Sequence, residues 1–121
     1  MAEERTYTGG CHCGAVRFRT TMKLDGALTC NCSICSKTGT ALAFVPASSF
    51  ELLSGEDVLT DYQFGRKHIH HLFCSRCGVR SFARGAGRDG TPMAAMNVRC
   101  LDGVELGDVP LRPHDGRSVA I

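Results

Sequence analysis

The chain of 121 residues has no tryptophan, two tyrosines and six phenylalanines. Large side chains are therefore few, and a core built from them alone would be thin for a domain of this size. Charge of one sign is also lacking. The formal net charge is +2 and no run of basic residues occurs, so a nucleic-acid partner is not expected. No apolar stretch approaches the roughly 18 residues of a membrane span, so no membrane partner is expected either. The first ten residues, MAEERTYTGG, have no apolar segment of the secretory kind, and a cytoplasmic location is expected. Linkers, low-complexity segments and long 3.6-residue periodicities are missing too. Those absences point to a single domain over 1–121 that is mostly β. Nothing in the sequence sets an oligomeric state.

What the chain has in excess is cysteine, eight residues in all. Cys11 and Cys13 form a C-x-C; Cys30, Cys32 and Cys35 form a C-x-C-x-x-C; Cys74 and Cys77 form a C-x-x-C followed by Gly78; Cys100 stands alone. An even count could mean disulfides, which small exported domains use. Cysteines one or two residues apart rarely bridge each other, however, because a disulfide needs particular Cα separations and Cβ directions. A tight turn instead aims neighbouring thiolates at one ion, which is the reading the spacings favour. All-thiolate tetrahedral sites suit zinc or iron–sulfur clusters, and these spacings are not those of ferredoxins, which leaves zinc as the expected metal.

The rest of the chain reads as short strands between turns. Ala15–Thr20 alternates Val16 and Phe18 against Arg17 and Arg19, the pattern of a half-buried strand. Further strands are expected at Leu28–Cys30, Thr40–Val45 (closed by Pro46), Phe50–Leu53, Val58–Phe64, Lys67–Cys74, Val79–Ala83 and Met93–Arg99. Ser33–Lys37 reads as a turn of helix. RGAGRDG, starting at Arg84, suits a hairpin tip or an anion-binding loop, and the tail from Leu101 is rich in turns.

Seven clustered thiols exceed the four ligands one zinc takes, so two sites are expected. Cys11, Cys13, Cys74 and Cys77 would make a closed, structural site. Cys30, Cys32 and Cys35 would leave the second ion one ligand short, the mark of a working metal. Cys100, His68, His70 or His71 could instead close that second site. Cys100 also reads as a buried small hydrophobe. Lys37 or an arginine could offset the charge of an anionic trithiolate site or hold an anionic substrate.

The segments GGCHCGAVRF, CNCSICSKTG and FCSRCG, with MNVRCLDGVEL and HDGRS in the tail, resemble the glutathione-dependent formaldehyde-activating enzyme (GFA) family, also called the centromere-protein-V domain family. The resemblance runs from about Gly9 to Ser118. It implies a β-tent fold of small antiparallel sheets built around zinc. It implies a structural zinc on Cys11, Cys13, Cys74 and Cys77. A second, more labile and partly occupied zinc would lie on Cys30, Cys32 and Cys35, the catalytic one in the family. The implied chemistry joins glutathione and formaldehyde into S-hydroxymethylglutathione and is classed as carbon–sulfur lyase chemistry.

The expected function is therefore a zinc enzyme acting on a small-molecule thiol or its aldehyde adduct. A non-catalytic, zinc-stabilised module that binds a protein partner is the alternative. Filling both sites would turn the slightly positive formal charge slightly negative, which weakens the case for nucleic acid further.

Overall fold

The computed structural model describes residues 3–87 and 89–118. Ten strands and one helical turn follow in order: β1 (Glu4–Gly10), β2 (Arg17–Lys23), β3 (Ala27–Cys30), α1 (Cys35–Thr38), β4 (Ala41–Pro46), β5 (Phe50–Ser54), β6 (Leu59–Tyr62), β7 (His70–Cys74), β8 (Phe82–Ala86), β9 (Pro92–Asn97) and β10 (Leu111–His114). Strands β1, β2 and β5 form a small antiparallel sheet. The larger sheet runs β10-β3-β4-β9-β8-β7-β6. Among the described residues, no helix is long and apolar enough to cross a membrane.

The mostly β class read from the sequence is the class observed. β2 buries Phe18, Thr20 and Met22 and exposes the residues between them, as the alternation at Val16 to Arg19 requires. Phe18 and Phe50 of the small sheet stack at 5.3 Å, and Phe50 meets Phe82 of the large sheet at 4.7 Å. This phenylalanine cluster joins the sheets, and each ring contributes roughly 1.5–3 kcal/mol by leaving water. An isolated bridge from Gly9 to Leu101 ties the small sheet to the segment after β9.

Several boundaries differ from expectation. β1 and β10 carry no apolar alternation. In β1 the first three residues are exposed, and burial comes only near Gly9 and Gly10. β10 is exposed throughout and contains Pro113, which an edge strand tolerates. It also pairs parallel with β3, so the sheets are not wholly antiparallel. The connection from Leu101 to Pro110 carries the chain from β9 past β4 and β3 to that edge. The strand expected at Val79–Ala83 begins only at Phe82. The one expected at Met93–Arg99 stops at Asn97, whose side chain accepts from Arg99 N and caps a short 3-10 turn. β8 and β9 make a hairpin whose tip is closed by Gly87 N donating to Thr91 O. Arg88 of that tip lies outside the described residues.

Candidate metal centres

Two groups of thiols converge, with the membership the spacings suggest. In the first, Cys11 and Cys13 sit in the turn between β1 and β2. Cys74 ends β7, and Cys77 lies in the following turn. That turn closes through Gly78, whose φ of 80° is left-handed and whose N–H donates to Cys74 O at 2.7 Å. A glycine takes this conformation without the Cβ clash of other residues. The four sulfurs lie within 4.8 Å of one another, with Cys11–Cys13 at 3.6 Å and Cys13–Cys74 at 3.7 Å. A tetrahedron of sulfurs about 2.3 Å from zinc has edges of about 3.8 Å. These separations are far too long for disulfides, and all eight cysteines are free.

Backbone amides are already turned toward the sulfurs. Val16 N donates to Cys11 Sγ at 3.3 Å and Arg76 N to Cys74 Sγ at 3.4 Å. The Val79 amide, followed by that of Cys13, brings the Cys77 thiol down to about 6. The Ala15 amide favours the Cys13 thiolate, yet burial and the crowding by Cys11, Cys74 and Cys77 outweigh it and push that thiol up to about 11. Four thiols held this close cannot all ionise without a cation between them. The donor set therefore fits a divalent ion of the zinc class, with no position left open.

The second group lies at the edge of the large sheet. Cys30 ends β3, Cys32 is in the next turn and Cys35 begins α1, their sulfurs again within 4.8 Å. Cys32 N donates to Cys30 Sγ and Cys35 N to Cys32 Sγ, both at 3.5 Å. Burial, then the neighbouring Cys32 and Cys30, push the Cys35 thiol up to about 12. Among the described residues no fourth Cys, His, Asp or Glu joins this group. Cys100 is elsewhere, half-buried with its Sγ 3.9 Å from Arg80 O. His68 and His70 are exposed, and His70 pairs with Asp61 at 2.6 Å. A trithiolate with space beside it also fits a zinc-class ion.

The tail braces this turn, which no spacing in the sequence announced. Asn31 donates to Asp115 at 2.9 Å and accepts from Arg117 N at 2.8 Å. Asn31 N donates to His114 O at 3.2 Å. Ser118 and then Asn31 hold the Asp115 carboxyl below its ordinary range. Gly116 is buried directly over the cluster, and a Cβ there would overlap Cys30 Sγ. The only hint was the HDGRS segment in the family resemblance.

A cavity of about 210 Å³ opens at the three thiols. Its floor comes from strand register: Phe44, Ala95, Ala83 and His71 pair in succession across β4, β9, β8 and β7. Two alanines between larger neighbours leave a trough. Leu42 and Asn97 pair in the adjacent row. Phe44 and Ile69 are exposed apolar residues, and both line the cavity. His71 is buried, and burial, then the charge of Arg80, lowers its pKa. It is therefore neutral at neutral pH. Its ring stacks on Phe64 at 5.4 Å. Lys37 is exposed and does not line the cavity; Arg80 does.

A sequence model of the family described as glutathione-dependent formaldehyde-activating enzyme matches residues 6–114. The fold is similar to a crystal structure of a Rhodobacter sphaeroides protein, a structural-genomics target. The two share 34% identity and a TM-score of 0.73, and the match covers 87% of this chain and 99% of that one. With cysteines grouped in space as well as in sequence, and a family match over most of its length, the chain belongs to the glutathione-dependent formaldehyde-activating enzyme family.

Proposed function

We propose that the chain is a carbon–sulfur lyase acting on a thiol–aldehyde adduct of the glutathione–formaldehyde type, working as a single domain over 1–121 in the reducing cytoplasm. Cys11, Cys13, Cys74 and Cys77 hold a structural zinc; Cys30, Cys32 and Cys35 hold the catalytic one. The observation that carries this reading is the unequal ligand count, four thiols in one group and three at the mouth of a cavity in the other. Zinc on three thiolates would supply an open Lewis-acidic position that keeps a bound thiol in its nucleophilic form.

The chain's own residues supply the rest. The apolar walls exclude water from the adduct. The neutral imidazole of His71 takes the proton from the adduct's hydroxyl oxygen. The electrons of that O–H bond become the second bond of the carbonyl, and those of the carbon–sulfur bond leave with sulfur. Aldehyde and thiolate are released, and the proton rests on His71. In the forward condensation the imidazolium returns it.

Replacing Cys32 with Ser should lower zinc from two ions per chain, one for each cluster, to one. Circular dichroism should remain native. The same variant should no longer accelerate formaldehyde–glutathione equilibration. Wild-type protein that leaves that rate unchanged, and whose zinc coordination by X-ray absorption does not respond to glutathione, would remove the proposal.

A further inference from the structure

The cavity at the three thiols continues in two directions of unlike polarity. One passes Phe44 and Ile69 into an apolar groove of about 230 Å³ that reaches Met93. The other passes Thr38 and Thr40 into an open groove of about 460 Å³ over Gly78 and Val79, beside the turn of the four-thiol cluster. Glutathione carries two carboxylates, an ammonium and two peptide groups. An apolar groove gives such groups no partners, so placing them there is costly. The cavity alone, at about 210 Å³, is smaller than the roughly 300–1,000 Å³ usual for a drug-sized ligand. A tripeptide whose sulfur lies at the thiols therefore extends beyond it, and the groove over Gly78 and Val79 lets its charged ends keep their water.

Thr40 stands at the junction of cavity and groove. It is only 7% exposed. One residue ahead of β4, it projects on the side of Leu42 and Phe44, which also line the cavity. The β3–β4 register, Leu28 with Leu42 and Thr29 with Ala41, brings it alongside Cys30. Among the described residues its hydroxyl has no hydrogen-bond partner. The unpartnered side-chain atoms that are sealed from solvent are Arg80 Nη1 and Ser81 Oγ, so the Thr40 hydroxyl, which is neither, keeps accessible surface. A hydroxyl so enclosed without a partner is costly, and an acceptor on a ligand removes the cost. The cysteinyl residue of glutathione has a peptide carbonyl on each side, a few bonds from its sulfur.

We propose that Thr40 is a specificity-determining residue for glutathione. With the sulfur at Cys30, Cys32 and Cys35, the Thr40 hydroxyl donates to a peptide carbonyl of the tripeptide, whose charged arms run out past Thr38 into the groove over Gly78 and Val79. This rests on the reading of the three-thiol site as an open thiol-binding metal centre.

Calorimetric titration of the zinc-loaded full chain tests it. The probes are glutathione and 2-mercaptoethanol, a thiol without peptide groups. Glutathione should bind the wild type more tightly. Thr40→Val, which keeps the shape and removes the hydroxyl, should weaken glutathione about 3- to 10-fold. It should leave mercaptoethanol and zinc content unchanged, and Thr40→Ser should keep most of the wild-type affinity for glutathione. Thr38→Phe, which adds bulk at an exposed position beside the passage, should also weaken glutathione and spare mercaptoethanol. Ala86→Leu crowds the apolar groove instead and should leave glutathione unchanged. Unchanged glutathione affinity in Thr40→Val, equal weakening of both thiols, or loss of glutathione in Ala86→Leu overturns the proposal while the thiol-binding site stands. Binding of neither thiol by the wild type overturns the open-site reading itself. If Thr40→Val loses zinc, Thr38→Phe and Ala86→Leu decide.

Discussion

The two cysteine clusters use the same local device and reach different ends. In each, a tight turn lets backbone N–H groups point at sulfur, as Val16 N does at Cys11 and Cys35 N at Cys32. The difference lies in what the turns are attached to. The four-thiol cluster joins segments about 60 residues apart, the β1–β2 turn and the end of β7. It closes on itself, and its Cys11 and Cys74 belong to the buried core that includes Phe18, Phe50 and Phe82. The three-thiol cluster draws all its sulfurs from one segment, and its remaining side is open to the cavity. A staple needs ligands from distant parts of the chain, because only then does binding an ion restrain the fold. A working site needs a vacancy and a pocket, and one local segment can supply the sulfurs for it.

Breaking the staple should have the largest effect. Cys74→Ser should cost at least several kcal/mol of stability and abolish the cooperative unfolding transition followed by circular dichroism. An unfolding curve like that of Cys32→Ser would mean the clusters share the structural burden.

Gly116→Ala comes next and acts only on the open cluster. Its Cβ meets Cys30 Sγ, so zinc affinity there should fall about 10- to 100-fold in chelator competition. The four-thiol site should be unaffected. Uniform loss of both ions would contradict the separation of the two regions.

His71→Gln leaves both ligand sets intact and should lower turnover of the adduct about 100-fold with zinc content unchanged. It also has a stability signature. The imidazole's pKa is lowered by burial, so the unfolded chain binds more protons than the folded one as pH falls below about 6.5. The stabilising effect is complete above that value and is lost below it. Urea titrations across this window should show a smaller pH slope in the variant than in the wild type.

The smallest effect belongs to the surface near the staple. Arg17 pairs with Asp102, and the Arg17 hydrogen bond, then that of Thr8, holds the Asp102 carboxyl below its usual range. This contribution is present above the ordinary carboxylate pKa and fades as pH falls toward the lowered one. Both side chains are substantially exposed, so Arg17→Met should cost no more than about 1 kcal/mol by urea denaturation.

Much of this was legible along the chain. C-x-C, C-x-C-x-x-C and C-x-x-C-G carry their own geometry, because residues so close in sequence are brought together by one turn whatever the remaining fold. Val16 and Phe18 announced β2 for the same local reason. β1 and β10 were not legible. Their residues are mostly exposed, and they are held by backbone pairing to β2 and β3, which leaves no side-chain pattern. Cys100, His68, His70 and His71 were all candidates to close the second site, and the fold placed Cys100 beside Arg80 O, His71 against Phe64 and His70 beside Asp61.

Cysteine spacing thus decided which thiols could share an ion and divided them four and three, since those are questions of ligand number and turn length, while whether Cys100 or a histidine joined the three was left to the fold. Only the tertiary structure decided what faces the vacancy. Phe44, Ala95, Ala83 and His71 are scattered over four strands, and interstrand register alone aligns them into one trough. Arg80 looked in sequence like any other arginine. Only the fold brings it beside the cavity with its Nη1 buried, because burial depends on surroundings that distant segments provide.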